Sequence, residues 1–225
     1  MVAEMKIIDF HTHILPNADH GSDSVETSLG QIELSKTADV DVIVATPHFY
    51  PHKHNLEKFI ERRNSAFEAL IAQTDANILL GAEVLICEYF ENLNGIDKLC
   101  IEGTKTLLIE LPFSEYKDSY TDSVEKLIDN GYDIIIAHAN RYPKESIYKL
   151  LDVGAKLQLN TSSLSKLFVK KHIKDWIKSG EVVAIGSDIH MLNQDSYRKF
   201  NKAKSRLKDN LSFIMQESAK YAGIK

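Results

Sequence analysis

KIIDFHTH, residues 6–13, is an apolar run that ends in two histidines one residue apart. A strand built for burial gains nothing from finishing on two imidazoles, so the pair has to be read together with what surrounds it. Alternate residues of an extended chain point to the same side, which lets His11 and His13 reach one ion together. The same spacing returns in GSDIH (186–190), with Asp188 and His190.

Working outward, six further runs rich in Val, Ile and Leu follow KIIDF (6–10): DVIVAT (41–46), NILLGAEV (77–84), TLLIEL (106–111), YDIIIAH (132–138), KLQLN (156–160) and VVAIGSD (182–188). Between them lie stretches with apolar residues at three- and four-residue spacing, which predicts helices over 24–38, 56–73, 120–131, 144–154 and 169–180. Gly131, Gly154 and Gly180 fall where such helices stop. Seven βα units with no Ser/Pro-rich linker predict a single α/β domain over 1–225. A seven-unit relative of the (β/α) barrel is expected, with an open doubly wound sheet as the alternative.

The strand ends carry the chemistry. Besides His11 and His13 they supply His48 in ATPH, Glu83 in GAEV, Glu110 in LIEL, His138 in IAHA, and Asp188 with His190 in SDIH. The C-terminal ends of parallel barrel strands converge on one face, where active sites form. One such residue alone is usually a cap or a loop hydrogen bonder, but recurrence at equivalent positions predicts a shared metal site. Imidazole and carboxylate together suit Mn, Fe or Zn, and the donors outnumber what one ion uses, so two or three ions are expected.

Composition excludes several classes. The formal charge of −5 argues against a nucleic-acid partner. The basic run Arg198, Lys199, Lys202, Lys204, Arg206 and Lys208 is expected to be the solvated face of a helix. No apolar run approaches the ~20 residues of a membrane span, and MVAEMKIIDF lacks the marks of a signal peptide, so a cytoplasmic protein without membrane insertion is expected. The two cysteines, Cys87 and Cys100, are expected to be packing residues. A thiolate phosphate loop needs Arg six residues after Cys, where this chain has Leu93 and Thr106. A second H-x-H, His52 and His54 in PHKH, follows Pro51 and reads as surface loop, and His172 reads as solvent-facing.

In order, DFHTHILP, ATPHFYP, GAEV, LLIELPF, IIIAHANRYP and GSDIH resemble the motifs of the polymerase and histidinol phosphatase (PHP) superfamily over residues 7–192. Within it the chain is most similar to bacterial manganese-dependent protein tyrosine phosphatases of capsular and exopolysaccharide loci. The resemblance implies a distorted TIM-like (β/α)7 barrel with its active site at the C-terminal strand ends. It also implies a cytoplasmic phosphomonoester hydrolase in which a hydroxide on Mn2+ attacks phosphorus. The substrate would be a phosphotyrosine protein, the tail of a bacterial tyrosine kinase of polysaccharide export.

On the family pattern His11, His13, Glu83 and Asp188 hold one ion, Glu83, Glu110 and His138 a second, and His48, His190 and a residue of an acidic turn the third. Arg141, Asp188 and His190 form the implied catalytic group, with Arg141 binding the phosphate. Two positions depart from the pattern. The usual Asp-Asp-Gly turn is Asp19-His20-Gly21, leaving His20 as the implied ligand and Asp19 as its fallback. Asp195 stands where relatives often have Arg, and Arg198 is the expected substitute. The competing readings are a small-molecule phosphatase such as histidinol-phosphatase, a metal-dependent nuclease, and a non-catalytic metal-stabilised regulatory module.

Overall fold

The strands come first, because the site hangs from their ends. A computed structural model describes residues 5–192 and 195–224; the remaining residues of the expected 1–225 domain lie outside the described residues. Among the described residues nine strand segments appear: β1 (Ile8–Thr12), β2 (Val42–Ala45), β3 (His48–Phe49), β4 (Ile78–Leu80), β5 (Glu83–Leu85), β6 (Thr106–Glu110), β7 (Asp133–Ile136), β8 (Lys156–Asn160) and β9 (Val182–Gly186). They form two all-parallel sheets, β1-β2-β4 and β3-β5-β6-β7-β8-β9.

The expected second and third strands are each split in two. Pro47 has no N–H to donate, so the ladder breaks between β2 and β3, and Gly81-Ala82 separates β4 from β5. Backbone bonds span the breaks, with Gly81 N donating to Ala45 O (2.9 Å) and Glu83 N to Pro47 O (3.1 Å). At the other end β9 runs into β1: Asp188 N donates to His11 O (2.9 Å) and His13 N to Ile189 O (3.1 Å). The β1 and β9 backbones approach closely because β9 ends on Gly186, which has no side chain to hold them apart. A Cβ there would sit 2.5 Å from His11 Cβ and 2.7 Å from Gln158 Nε2.

All five expected helices form, as α1 (Val25–Lys36), α2 (Leu56–Ile71), α3 (Asp118–Asp129), α4 (Lys144–Asp152) and α6 (Lys171–Lys178). The Ser24 and Asn55 side chains cap α1 and α2 by accepting from Thr27 N and Lys58 N. Gly131, Gly154 and Gly180 have φ of 82°, 102° and 77°, the left-handed turn that ends a helix. The basic run expected on a helix lies on α7 (Ser196–Leu207), and two helices were not anticipated: the single turn α5 (Thr161–Leu164) and α8 (Asp209–Tyr221). α8 is tied to the strands by Ser218 Oγ donating to Val183 O (2.9 Å) and Thr106 Oγ1 donating to Tyr221 O (2.8 Å). Helices on the outside and side chains within leave β1, β2, β6 and β9 buried on both faces.

Candidate metal centre

Glu83, the first residue of β5, is fully buried and is the hub on which the strand ends converge. Its Oε2 lies 3.1 Å from His11 Nε2, 3.3 Å from His13 Nε2 and 3.0 Å from His48 Nδ1. Its Oε1 lies 2.6 Å from His138 Nε2. Glu110 closes one side, 3.7 Å from His48 Nδ1 and 3.6 Å from His138 Nε2. Asp188 closes the other, its Oδ1 3.4 Å from His13 Nε2 and 3.6 Å from His190 Nδ1.

The rings are aimed by groups behind them. His11 Nδ1 donates to Gln158 Oε1 (3.3 Å) and His13 Nδ1 to Asp19 Oδ2 (2.6 Å). Tyr142 Oη lies 3.0 Å from His138 Nδ1 and accepts from Leu111 N at 3.1 Å. His190 Nδ1 donates to the Asp188 carbonyl (3.1 Å). With these atoms occupied, the Nε2 atoms of His11, His13 and His138 face the cluster, the arrangement that outer partners impose on metal-binding imidazoles.

Charge and burial make the cluster a poor place for anything but cations. Burial alone would raise the Glu83 and Asp188 carboxyls, but the imidazoles of His11 and His13 hold both well below the usual carboxylate range. Burial opposes a charge on His11 and His13 too, yet Glu83 and Asp188 for the one and Asp188 with Asp19 for the other keep both pKa values raised. Glu110 is pushed up to about 8, first by burial and then by the Glu83 charge. Burial drops His48 to about 3 and His190 to about 4, leaving both neutral with lone pairs to offer. Three sets of donor atoms lie within 4.8 Å of one another: His11, His13 and Glu83; His48, Glu83 and Glu110; and His13, His48 and His190.

His48 Nδ1 decides whether metal ions fit. Although it is 3.0 Å from Glu83 Oε2, the angles are not those of a hydrogen bond, and it is a buried nitrogen without a hydrogen-bond partner. An orphaned buried lone pair beside the Glu83 and Glu110 carboxylates is a donor that suits a metal ion. Backbone strain concentrates here as well: His138 and Asp188 have φ of 33° and 54°, left-handed values that side chains adopt at a cost of about 1–3 kcal/mol.

His20 reaches the site without entering a donor set. Its ring stacks on His48 at 4.8 Å and 9°, and lies 4.8 Å from His190, but the residue is exposed. Asp19 is committed elsewhere, accepting from His13 Nδ1, from His48 N (2.9 Å) and from Gly21 N (2.8 Å). Arg141, 39% exposed, pairs with Asp188 Oδ2, which also accepts from Asn160 Nδ2 at 2.7 Å. Arg198 does not take up the vacant cationic position. It points to solvent and pairs with Asp195, whereas Lys199, a 100° step further round α7, lines the cavity. That cavity, about 500 Å3, opens over the cluster between Tyr50, Phe113, Arg141 and Lys199. His52 is exposed, and His54 Nδ1 accepts from Tyr50 N (3.1 Å) outside the donor sets.

Gln158 and Tyr142 carry no mark of their role in the sequence, and Lys199, expected on the solvated face of its helix, lines the cavity instead. One signal was available for Asn160. KLQLN is the only strand whose end offered no ligand, and its terminal amide turns out to hold Asp188.

A family model described as "Capsular polysaccharide synthesis, CpsB/CapC" matches residues 7–213. The chain is 29% identical over 201 residues to the putative tyrosine-protein phosphatase CapC of Staphylococcus aureus, covering 83% of this chain and 78% of that one. It is 28% identical over 205 residues to the tyrosine-protein phosphatase CpsB of Streptococcus agalactiae, covering 83% and 84%. Its fold superposes with a TM-score of 0.81, at 22% identity over 96% of this chain and 94% of the other, on a chain from the crystal structures of YwqE from Bacillus subtilis and CpsB from Streptococcus pneumoniae, described as metal-dependent tyrosine phosphatases.

Proposed function

The chain belongs to the capsular polysaccharide synthesis CpsB/CapC family, and from that premise we propose that it is a metal-dependent protein-tyrosine phosphatase. The observation that carries this reading is the convergence of four imidazoles on Glu83, flanked by Glu110 and by Asp188 with His190, beneath a cavity with Arg141 on its wall. We read the nine strand segments as a distorted (β/α)7 barrel closed between β9 and β1, within one domain over 1–225.

His11, His13, His48, Glu83, Glu110, His138, Asp188 and His190 would hold two or three divalent ions, with Asp19-His20 beside the third. Mn2+ is the ion proposed, with Fe and Zn suited to the same donors. Such ions supply Lewis acidity toward phosphoryl oxygens and acidify a water molecule.

The remaining work falls to the chain. Arg141 leaves Asp188 and grips two phosphoryl oxygens, fixing the phosphorus over the cluster. Lys199 adds a second cation on the cavity wall. Tyr50 and Phe113 flank the space above, where a tyrosine ring fits. A phenol leaving group has a pKa near ~10, so its departure needs little protonation. The substrate proposed is a phosphotyrosine protein of the cytoplasm, the tail of a polysaccharide-export tyrosine kinase.

The test is turnover with Mn2+ on a phosphotyrosine peptide, histidinol phosphate and single-stranded DNA, with and without chelator. The phosphotyrosine peptide is expected to have the highest kcat/KM and to lose its turnover with the metal; a rate indifferent to thorough metal removal sinks the reading. Arg141→Ala is expected to raise KM by about 10- to 100-fold, the worth of a bidentate charged contact. Unchanged KM and kcat would remove Arg141 from the site.

A further inference from the structure

Between α5 and α6 the chain turns outward through residues 165–170. At the tip of this bend Leu167 and Phe168 stand 80% and 85% exposed. Lysines surround them: Lys166, Lys170 and Lys171 on either side, Lys174 and Lys178 along α6, all exposed. Asp175 is the only acid in LSKLFVKKHIKDWIKSG (164–180), so this face opposes the −5 charge of the whole chain.

None of the five lysines has an ion pair or side-chain hydrogen bond among the described residues. That sets them apart from Lys36, Lys117, Lys126 and Lys149, each of which has found an acid. The orientation is fixed by the core. Ile173 and Trp176 are buried, which turns the lysine face of α6 outward. Behind the tip a groove of about 360 Å3 is lined by Leu164, Val169, Ile177 and Leu207, with Arg206 at its edge.

We propose that this face docks peripherally on an anionic lipid bilayer, Leu167 and Phe168 entering the headgroup layer while the lysines lie against anionic headgroups. The pairing of an apolar tip with a basic surround selects this occupant. A soluble polyanion needs the cations alone and gives no use to two large apolar side chains held out between them, whereas an interfacial anchor needs both. No helix among the described residues is long and apolar enough to cross a membrane, so the contact is with the surface. Docking would also orient the site. α5 is one turn, about 6 Å long, and it separates the tip from Asn160, the Asp188 partner, while Thr161 and Ser162 line the cavity. The mouth of the site would therefore open beside the lipid surface.

The test is co-sedimentation of the full-length protein with vesicles of pure phosphatidylcholine and of phosphatidylcholine with phosphatidylglycerol, at low and physiological salt. It reads binding and is independent of the phosphatase assignment. Binding is expected only with phosphatidylglycerol and should weaken with salt. Each cation near an anionic leaflet strengthens binding about fivefold, so Lys170→Glu with Lys171→Glu, which removes two cations and adds two anions, should lower the partition coefficient by at least about 25-fold. Leu167→Ser with Phe168→Ser should lower it about 10-fold or more. Both variants should retain wild-type circular dichroism melts and wild-type hydrolysis of a small aryl phosphate. The proposal is overturned if the wild-type protein does not prefer phosphatidylglycerol vesicles, or if either double variant binds as the wild type does. It is equally overturned if the lysine variant loses only affinity for a soluble multiply phosphorylated tyrosine peptide, because the patch would then be a peptide dock.

Discussion

Glu83→Gln is expected to lower kcat on a phosphotyrosine peptide by about 10^3-fold or more while the protein still folds. The substitution keeps the shape of the side chain and removes its charge from the one residue that touches His11, His13, His48 and His138 at once. An amide presents a donor where the carboxylate presented a second acceptor, so one of the facing imidazole nitrogens loses its partner at a fully buried position. The lost anion also removes the main charge that keeps the His11 pKa raised against burial. Metal content measured on the same preparation separates the causes, since a hub that bridges ions should lose stoichiometry together with rate. A Glu83→Gln enzyme with full metal content and kcat within about tenfold of the wild type would place the hub elsewhere.

Metal addition is expected to raise the melting temperature, and to raise it more at pH 8.5 than at pH 7. Burial opposes protonated His11 and His13, but Glu83, Asp188 and Asp19 raise both pKa values above the unfolded value. Their stabilising contribution is therefore complete below the unfolded pKa and is lost as pH rises through the folded one. Glu110, pushed up to about 8 by burial and Glu83, works in the same sense, since its ionisation is held back only in the fold. His48 and His190 act oppositely, but with folded values of about 3 and 4 their contribution changes little above the ordinary histidine range. Above pH 7 the metal-free protein thus loses the protons that offset its carboxylates, and divalent ions replace them without competition. At a metal concentration 1,000-fold above Kd the gain is about 4 kcal/mol, or roughly 8–16 °C for a chain of this size. A shift of equal size at both pH values, or a smaller one at pH 8.5, would contradict this account.

The donor residues were legible because a strand end leaves a signature: an apolar run and then a side chain that the core has no use for. Gln158 had no such mark. In KLQLN it reads as the ordinary polar member of an alternation, yet its Oε1 accepts from both His11 Nδ1 and His138 N, the latter at 2.5 Å. Helix phase was equally hidden. Without the start of α7 at Ser196, nothing in YRKF tells which cation turns inward, and the structure chooses Lys199 over Arg198. The splits at Pro47 and Gly81 were written in the sequence, but their effect depends on neighbouring strands: they shift His48 and Glu83 into register with each other across β3 and β5. His20 could be named from its motif, while its stacking on His48 could not.

The Arg141–Asp188 pair has a thermodynamic corollary. The carboxylate that a metal ion would recruit and the guanidinium that a phosphate would recruit are paired with each other. An ion that takes Asp188 frees Arg141 for an anion, and an anion that takes Arg141 frees Asp188 for an ion. The two ligands are then positively cooperative, and linkage requires each to raise the affinity of the other by the same factor. Inorganic phosphate should accordingly lower the Kd for Mn2+, and an unchanged Kd would show the two sites to be independent. Such reciprocity would make the enzyme bind either ligand weakly alone and both tightly together, a form of coincidence detection built from one ion pair.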